Sequence, residues 1–175
     1  MMEVDKMGEA GYIEALYGLA LSHGRVQEEM PSVAERLCAK DGGHNKFLES
    51  MVTWWRIRAP RYWWQEFDTY RVGATKQSES TMHTLMRREL DRTDFVPGVS
   101  QDIIDEVNKS IADGDLSAAK KNLPEGFMQT RIVCVNYKAL RNMIVQRRAH
   151  RLREWQVFIS EVREQVDYPQ LLPRD

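Results

Sequence analysis

The amino-acid sequence predicts an α+β protein in which a mixed sheet packs with helices and a long helix closes the C-terminal end. Two segments, 50–58 and 130–137, alternate their side chains with a period of two and are rich in β-branched, aromatic or apolar residues, as strands are. Several other segments carry apolar residues three and four apart, as amphipathic helices do. The 175 residues suit one domain spanning 1–175, and a chain of this size buries roughly two thirds of its unfolded surface without needing disulfides.

The elements follow in order. GYIEALYGLALS places Ile13, Leu16, Leu19 and Ala20 on one helical stripe, stopped by His23-Gly24. A second helix opens at Pro31, which suits a first turn, and ends near Lys40 before Asp41-Gly42-Gly43. In 50–58 Met51, Thr53, Trp55 and Ile57 alternate with Val52, Trp54, Arg56 and Arg58, so this segment is a predicted strand. Pro60 ends it, and Tyr62, Trp63, Phe67 and Tyr70 give the next helix an aromatic face.

Residues 72–83 are small and polar and are expected as a loop. Pro97-Gly98 marks a turn. Ser100 caps a helix whose stripe is Ile103, Ile104, Val107 and Ile111 and whose stop is Gly114; a short helix, LSAAKKNL, follows before Pro124. TRIVCVNY is the second strand, apolar enough to be buried on both faces. From about Lys138 to Val166 one long helix is expected, with Leu140, Ile144, Trp155, Phe158 and Val162 on its stripe.

Composition narrows the function. Cys38 and Cys134 have no Cys or His at metal-ligand spacing, so they are expected as buried thiols in a reducing compartment and no metal site is expected. The first residues lack the apolar run of a secretory leader, and no stretch reaches the ~18 apolar residues of a membrane span, so a cytoplasmic protein with no membrane partner is expected. A net charge of −1 conceals a basic run, RNMIVQRRAHRLR at 141–153. One basic helix on a near-neutral chain suits a local anion better than a long nucleic-acid track.

Arg147, Arg148, His150, Arg151 and Arg153 fall where the apolar stripe is interrupted. They form either a solvated face or a site in which guanidinium groups grip a phosphate or the carbonyl edge of a pyrimidine. His150 and Glu154, four apart, can also pair at the surface. Trp54, Trp55, Trp63 and Trp64 are core or interface residues, or a stacking place for a flat ring. His44 is an ordinary turn histidine or faces a ligand. No catalytic triad, phosphate-binding glycine loop or dinucleotide fingerprint occurs.

The segments GGHNKFLESMVTWWRIRAPRYWWQEFDTYRVGATKQSES and LPEGFMQTRIVCVNYKALRNMIVQRRAHRLREWQ together resemble the flavin-dependent thymidylate synthases over about half of the chain. In that family a His before a strand, a small-residue–Pro turn and an aromatic helix lead to an Arg-His-Arg signature with a Ser seven residues on. Leu-Pro, Thr-Arg, a strand ending in Asn, and a helix bearing Arg, His and Glu follow. The resemblance implies a homotetramer with sites between subunits where FAD, a folate methylene donor and deoxyuridine monophosphate (dUMP) meet. It implies that His44, Arg71, Asn136 and His150 contact the flavin, and that Arg147 or, one residue on, Arg148 holds the uracil. Ser78, Ser80 and Gln65 would bind substrate.

The sequence departs from the pattern at three places. Thr69-Tyr70-Arg71 stands for Arg-His-Arg, Glu79 for the signature Ser, and Thr81 for a phosphate-gripping Arg, with Arg61 or Arg87 as the substitutes in reach. The function these features imply is a divergent thymidylate synthase-like flavoprotein that binds a pyrimidine nucleotide and transfers a one-carbon unit to its base. The alternatives are a non-catalytic nucleotide sensor or sequestering protein, of the kind a phage or mobile element would use, and a nucleic-acid module built on the basic helix and tryptophans.

Overall fold

The structure, a computed structural model, describes residues 1–174. It is an α+β fold. The elements run β1 (Glu3–Ala10), α1 (Tyr12–His23), α2 (Met30–Leu37), β2 (Val52–Pro60), α3 (Arg61–Phe67), β3 (Ala74–Ser78), α4 (Thr81–Thr84), α5 (Gln101–Ala112), α6 (Leu116–Asn122), β4 (Met128–Asn136), α7 (Tyr137–Arg147) and α8 (Arg153–Gln165). Short 3-10 turns join several of them, at Lys46–Glu49, Arg92–Asp94 and Pro169–Leu171 among others. The four strands form one sheet in the order β1-β2-β4-β3.

Hydrogen bonds and ion pairs set the register. Tyr137 N donates to Met51 O at one end of the β2–β4 pair and Arg61 N donates to Phe127 O at the other, so these strands are antiparallel. Asn136 N to Gly73 O and Glu79 N to Thr130 O do the same for β4 and β3. Asp5 with Arg56 and Glu3 with Arg58 align β1 against β2.

The chain groups into two compact units. The first comprises Met1–Glu3, Ile57–Thr69 and Gln77–Arg131. It has a hydrophobic cluster of its own, built from Leu85, Leu90, Phe95, Ile104, Val107, Ala119, Leu123 and Phe127. The α5 stripe faces this cluster as predicted at Ile104 and Val107, but Ile103 turns outward. Ser100 caps α5 by accepting from Ile103 N, and Asp115 caps α6 by accepting from Ala118 N at 2.9 Å. Trp63 and Trp64 are fully buried here; Trp64 Nε1 donates to Gln129 O at 2.9 Å, and Arg131, paired with Asp68, lies over the Trp64 ring.

The second unit comprises Val4–Arg56, Tyr70–Lys76 and the chain from Ile132 on. Leu16, Ala34, Leu48, Met51, Trp55, Leu140, Met143, Trp155 and Phe158 are among its buried side chains. Thr53, the one fully buried polar residue of β2, donates to Val135 O at 3.0 Å and accepts from Trp55 Nε1 at 2.7 Å. That satisfies a hydroxyl and an indole that burial would otherwise strand.

Three expectations are corrected and one element is added. The predicted loop 72–83 contains β3 and the turn of α4. The N-terminal residues form β1. Its backbone is held from far along the chain, since Lys6 N donates to Gln165 Oε1 and Gln165 Nε2 donates to Val4 O. The long C-terminal helix is two helices, α7 and α8, separated at 148–152. Cationic neighbours at three- and four-residue spacing, Arg147, Arg148 and Arg151, disfavour a continuous helix there. The gap is closed locally: Leu152 N donates to His150 Nδ1 at 3.1 Å, and the Gln156 amide donates to the carbonyls of Arg147 and His150. Cys38 is buried as expected, but Cys134 is only partly buried.

Candidate functional site

The first shared feature of the candidate residues is helix α7. Its N-cap is Asn136, whose Oδ1 accepts from Ala139 N at 2.9 Å. At its C-terminal end stands Arg147. The segment 70–73 is fastened to both ends of this helix. Tyr70 Oη donates to Gln146 Oε1 and accepts from Arg147 Nε, each at 2.9 Å. Gly73 O accepts from Asn136 N at 2.9 Å.

Gly73 is needed at that place. Its φ of 72° is left-handed, and a Cβ there would lie 2.6 Å from Asn136 Nδ2. Arg71, between the two anchors, is exposed and makes no ion pair or hydrogen bond among the described residues. Asn136 is partly buried, and its Nδ2 amide makes no hydrogen bond among the described residues.

Arg147 is held among aromatic rings. Its guanidinium lies 5.6 Å from the Tyr70 centroid and 4.9 Å from that of Trp155, which is fully buried. His150 reaches the same indole edge-on at 6.3 Å. Tyr70 also meets Trp155 edge-on at 5.9 Å. A cation placed on π faces keeps its charge while its stem packs as an apolar group.

Arg71, Asn136, Arg147 and His150 are thus carried by one helix, the turn that follows it and the segment fastened along it. Arg148 is apart from this group. It is exposed and lines a separate cavity of about 520 Å³ with Gln156, Arg163 and Glu164. Tyr70 and Trp155 were not among the predicted site residues. The signal for Tyr70 was its place in the middle of the altered signature.

His44 is elsewhere in the second unit. It is exposed, in a recess of about 510 Å³ whose walls include Glu14, Ser22, His23, Lys46 and Glu49. None of Arg71, Asn136, Arg147 and His150 is in those walls.

In the first unit, Gln65 is exposed and its amide donates to Glu125 at 2.8 Å. Ser78 ends β3, exposed. Ser80 is the N-cap residue of α4, and its carbonyl accepts from His83 and Thr84. Glu79, at the place of the signature serine, lines a cavity of about 530 Å³ with Arg58, Arg87, Arg88 and Asp94. Arg88 is paired with Asp94 through two bonds of 2.6 and 2.7 Å, and Arg58 pairs with Glu3 and donates to Thr93 O. Arg87 makes no ion pair among the described residues. Arg61, the other expected substitute, is engaged with Leu123 O and Glu125.

Among the described residues no group of three or more His, Cys, Asp or Glu is placed to hold a metal ion, and no helix is long and apolar enough to cross a membrane.

These features define an α+β fold of the flavin-dependent thymidylate synthase type. Thymidylate synthase X from Helicobacter pylori, in a structure with FAD and dUMP, superposes with a TM-score of 0.79 over 98% of this chain and 97% of that one, at 16% identity. A second structure of that enzyme complexed with FAD and dUMP gives the same TM-score and identity over 97% of each chain. The UMP/dUMP methylase PolB from Streptomyces cacaoi, bound with 5-Br dUMP, superposes with a TM-score of 0.70 over 99% of this chain and 92% of that one, at 15% identity. No family model and no curated protein matches the sequence.

Proposed function

We propose that this protein binds a pyrimidine nucleotide together with FAD and, when both are bound, transfers a one-carbon unit to the base. The observation that carries this reading is the fastening of segment 70–73 along α7. It fixes Arg71, between its two anchors, alongside the helix that carries Asn136 at one end and Arg147 at the other, in a fold shared over nearly the whole chain with structures solved with FAD and dUMP.

The donors suit such ligands. Arg147 presents a fixed guanidinium on an aromatic bed, able to hold the carbonyl edge of a uracil and to stabilise charge that develops there. Arg71 and the Asn136 amide offer donors to the acceptor-rich edge of an isoalloxazine ring. The flavin, when bound, supplies the hydride chemistry; the protein supplies orientation and electrostatics. His44 lies in its own recess, so it contributes to a flavin site only when a second subunit brings it there. This is the sense in which a homotetramer with shared sites belongs to the proposal, with a folate as the carbon donor.

Within the first unit taken by itself, Ser78, Ser80 and Gln65 are the side chains assigned to substrate, and Arg87, which shares a cavity with Glu79, is the cation that would replace the arginine lost at Thr81. Titration calorimetry with dUMP tests the reading. Saturable binding that Arg147→Ala weakens by about tenfold or more, the worth of one charge-assisted bond, supports it. Equal binding by wild type and variant, or none, contradicts it.

A second reading follows from Tyr70. It stands where the signature has His and it occupies Arg147 Nε, which favours nucleotide binding without the chemistry, as in a nucleotide sensor or sequestering protein. Nucleotide binding without any flavin uptake distinguishes this reading from the first.

A further inference from the structure

Arg141, the first residue of the basic run 141–153, is not used by the proposed nucleotide site. Arg141 projects from α7 into a cavity of about 550 Å³ bounded by α2, the residues after it and the C-terminal turn. Its walls carry three guanidinium groups, from Arg36, Arg141 and Arg174, together with Ser32, Glu35 and the buried Cys38.

Arg141 is partly buried and held in place, since Nη1 donates to Leu171 O at 2.5 Å. Among the described residues no carboxylate pairs with it, nor with Arg36 or Arg174, and Glu35 in the same wall forms no ion pair with any of the three. A desolvated cation without a counter-charge is costly. Consistent with that, burial pulls the Arg141 guanidinium below its ordinary range. The Cys38 thiol is pushed upward, chiefly by burial, so the floor of the cavity is a neutral group at physiological pH and not a competing anion.

We infer that this cavity is a binding site for a small molecule bearing a pyrophosphate or longer phosphate chain, independent of the proposed nucleotide site. Among the described residues the walls carry three arginines and one glutamate, with Asp41 the further carboxylate acting on Arg141, which leaves a positive excess, and planar guanidinium groups suit phosphate oxygens through paired bonds. The volume exceeds what one phosphate fills. The C-terminal end of α2 opposes an anion, so binding depends on Arg141 and Arg174 as well as Arg36.

Inorganic pyrophosphate titrated into the full chain by calorimetry tests this. One saturable site per chain is expected, weakened about tenfold by Arg36→Ala and again by Arg174→Ala, while Lys121→Ala on α6 leaves it unchanged. Both arginines are exposed, so these variants keep the fold even if Arg141→Met does not. The inference is overturned if pyrophosphate shows no saturable binding, if the arginine variants bind as wild type does, or if Lys121→Ala weakens binding equally. The dUMP affinity of the Arg36 variant is expected to equal that of wild type, whatever that affinity is, which separates this inference from the nucleotide reading.

Discussion

Arg147 Nε donates to Tyr70 Oη at 2.9 Å, and the same hydroxyl donates to Gln146 Oε1. The bond joins the altered signature segment to the last turn of α7 and holds the guanidinium over Trp155. A single phenol therefore positions the arginine on which the proposed base recognition depends.

Replacing Tyr70 by Phe keeps the ring under Arg147 and removes both hydrogen bonds. The expected loss is about 1 kcal/mol of folding stability, read from the midpoint of urea denaturation. In dUMP calorimetry Tyr70→Phe is expected to weaken binding less than Arg147→Ala does, because the guanidinium remains.

Gly73 and Asn136 make the other fastening. Gly73→Ala introduces a Cβ into a left-handed backbone and against the Asn136 amide. A loss of about 1–3 kcal/mol is expected, measured by thermal or urea unfolding. The double variant Gly73→Ala, Asn136→Ala is expected to lose less than the sum of the two single changes, because the clash and the N-cap share one side chain. Simple additivity contradicts the close approach.

Tyr137 is fully buried, and its hydroxyl donates to Glu9, a carboxylate that also accepts from Asp167 N and Lys6. Burial first, and Glu9 second, raise the Tyr137 phenol far above its ordinary range; burial likewise raises Tyr12 and Tyr168. The unfolded chain ionises its tyrosines near pH ~10. These three phenols thus contribute stability that is complete below that pH and is lost as pH rises through their higher folded values. Absorbance titration at alkaline pH is expected to show three of the six tyrosines ionising late or only on unfolding. Tyr137→Phe is expected to cost about 1–3 kcal/mol at neutral pH, since it leaves a buried carboxylate short of a donor.

Much of this architecture was legible in the sequence, and the exceptions share a cause. β2 and β4 announced themselves because their residues alternate and are β-branched or aromatic, and α5 because Ser100, its stripe and Gly114 agree. β1 was hidden because Glu, Asp, Lys and Gly are poor strand formers and only Val4 is buried; what holds it is Arg56, Arg58 and Gln165, distant in sequence. β3 was hidden likewise, as a polar strand at the opposite end of the sheet order. The break between α7 and α8 rests on side-chain caps from His150 and Gln156, which periodicity does not register.

For the site, the basic run at 141–153 and the altered signature were visible as residue types. Their meeting through Tyr70 and Trp155 was not, because it depends on contacts across seventy or more residues of sequence.

Glu79 and Arg87 share a cavity in the first unit. A carboxylate in that cavity repels an anion held by Arg87. Glu79→Ser is expected to raise dUMP affinity by about tenfold, and Arg87→Ala to lower it by a similar factor. Calorimetry of the two variants checks the assignment; opposite signs, or no change in either, contradict it.

The central claim is that Arg71, Asn136 and Arg147 stand where a flavin and a pyrimidine meet. The purified protein, incubated with FAD and freed of unbound ligand, is the material to measure. Retained flavin absorption bands, with FAD identified by mass spectrometry on denaturation and the bands lost in an Arg71→Ala, Asn136→Ala variant that still folds, is the predicted result. A protein that stays colourless at saturating FAD contradicts it.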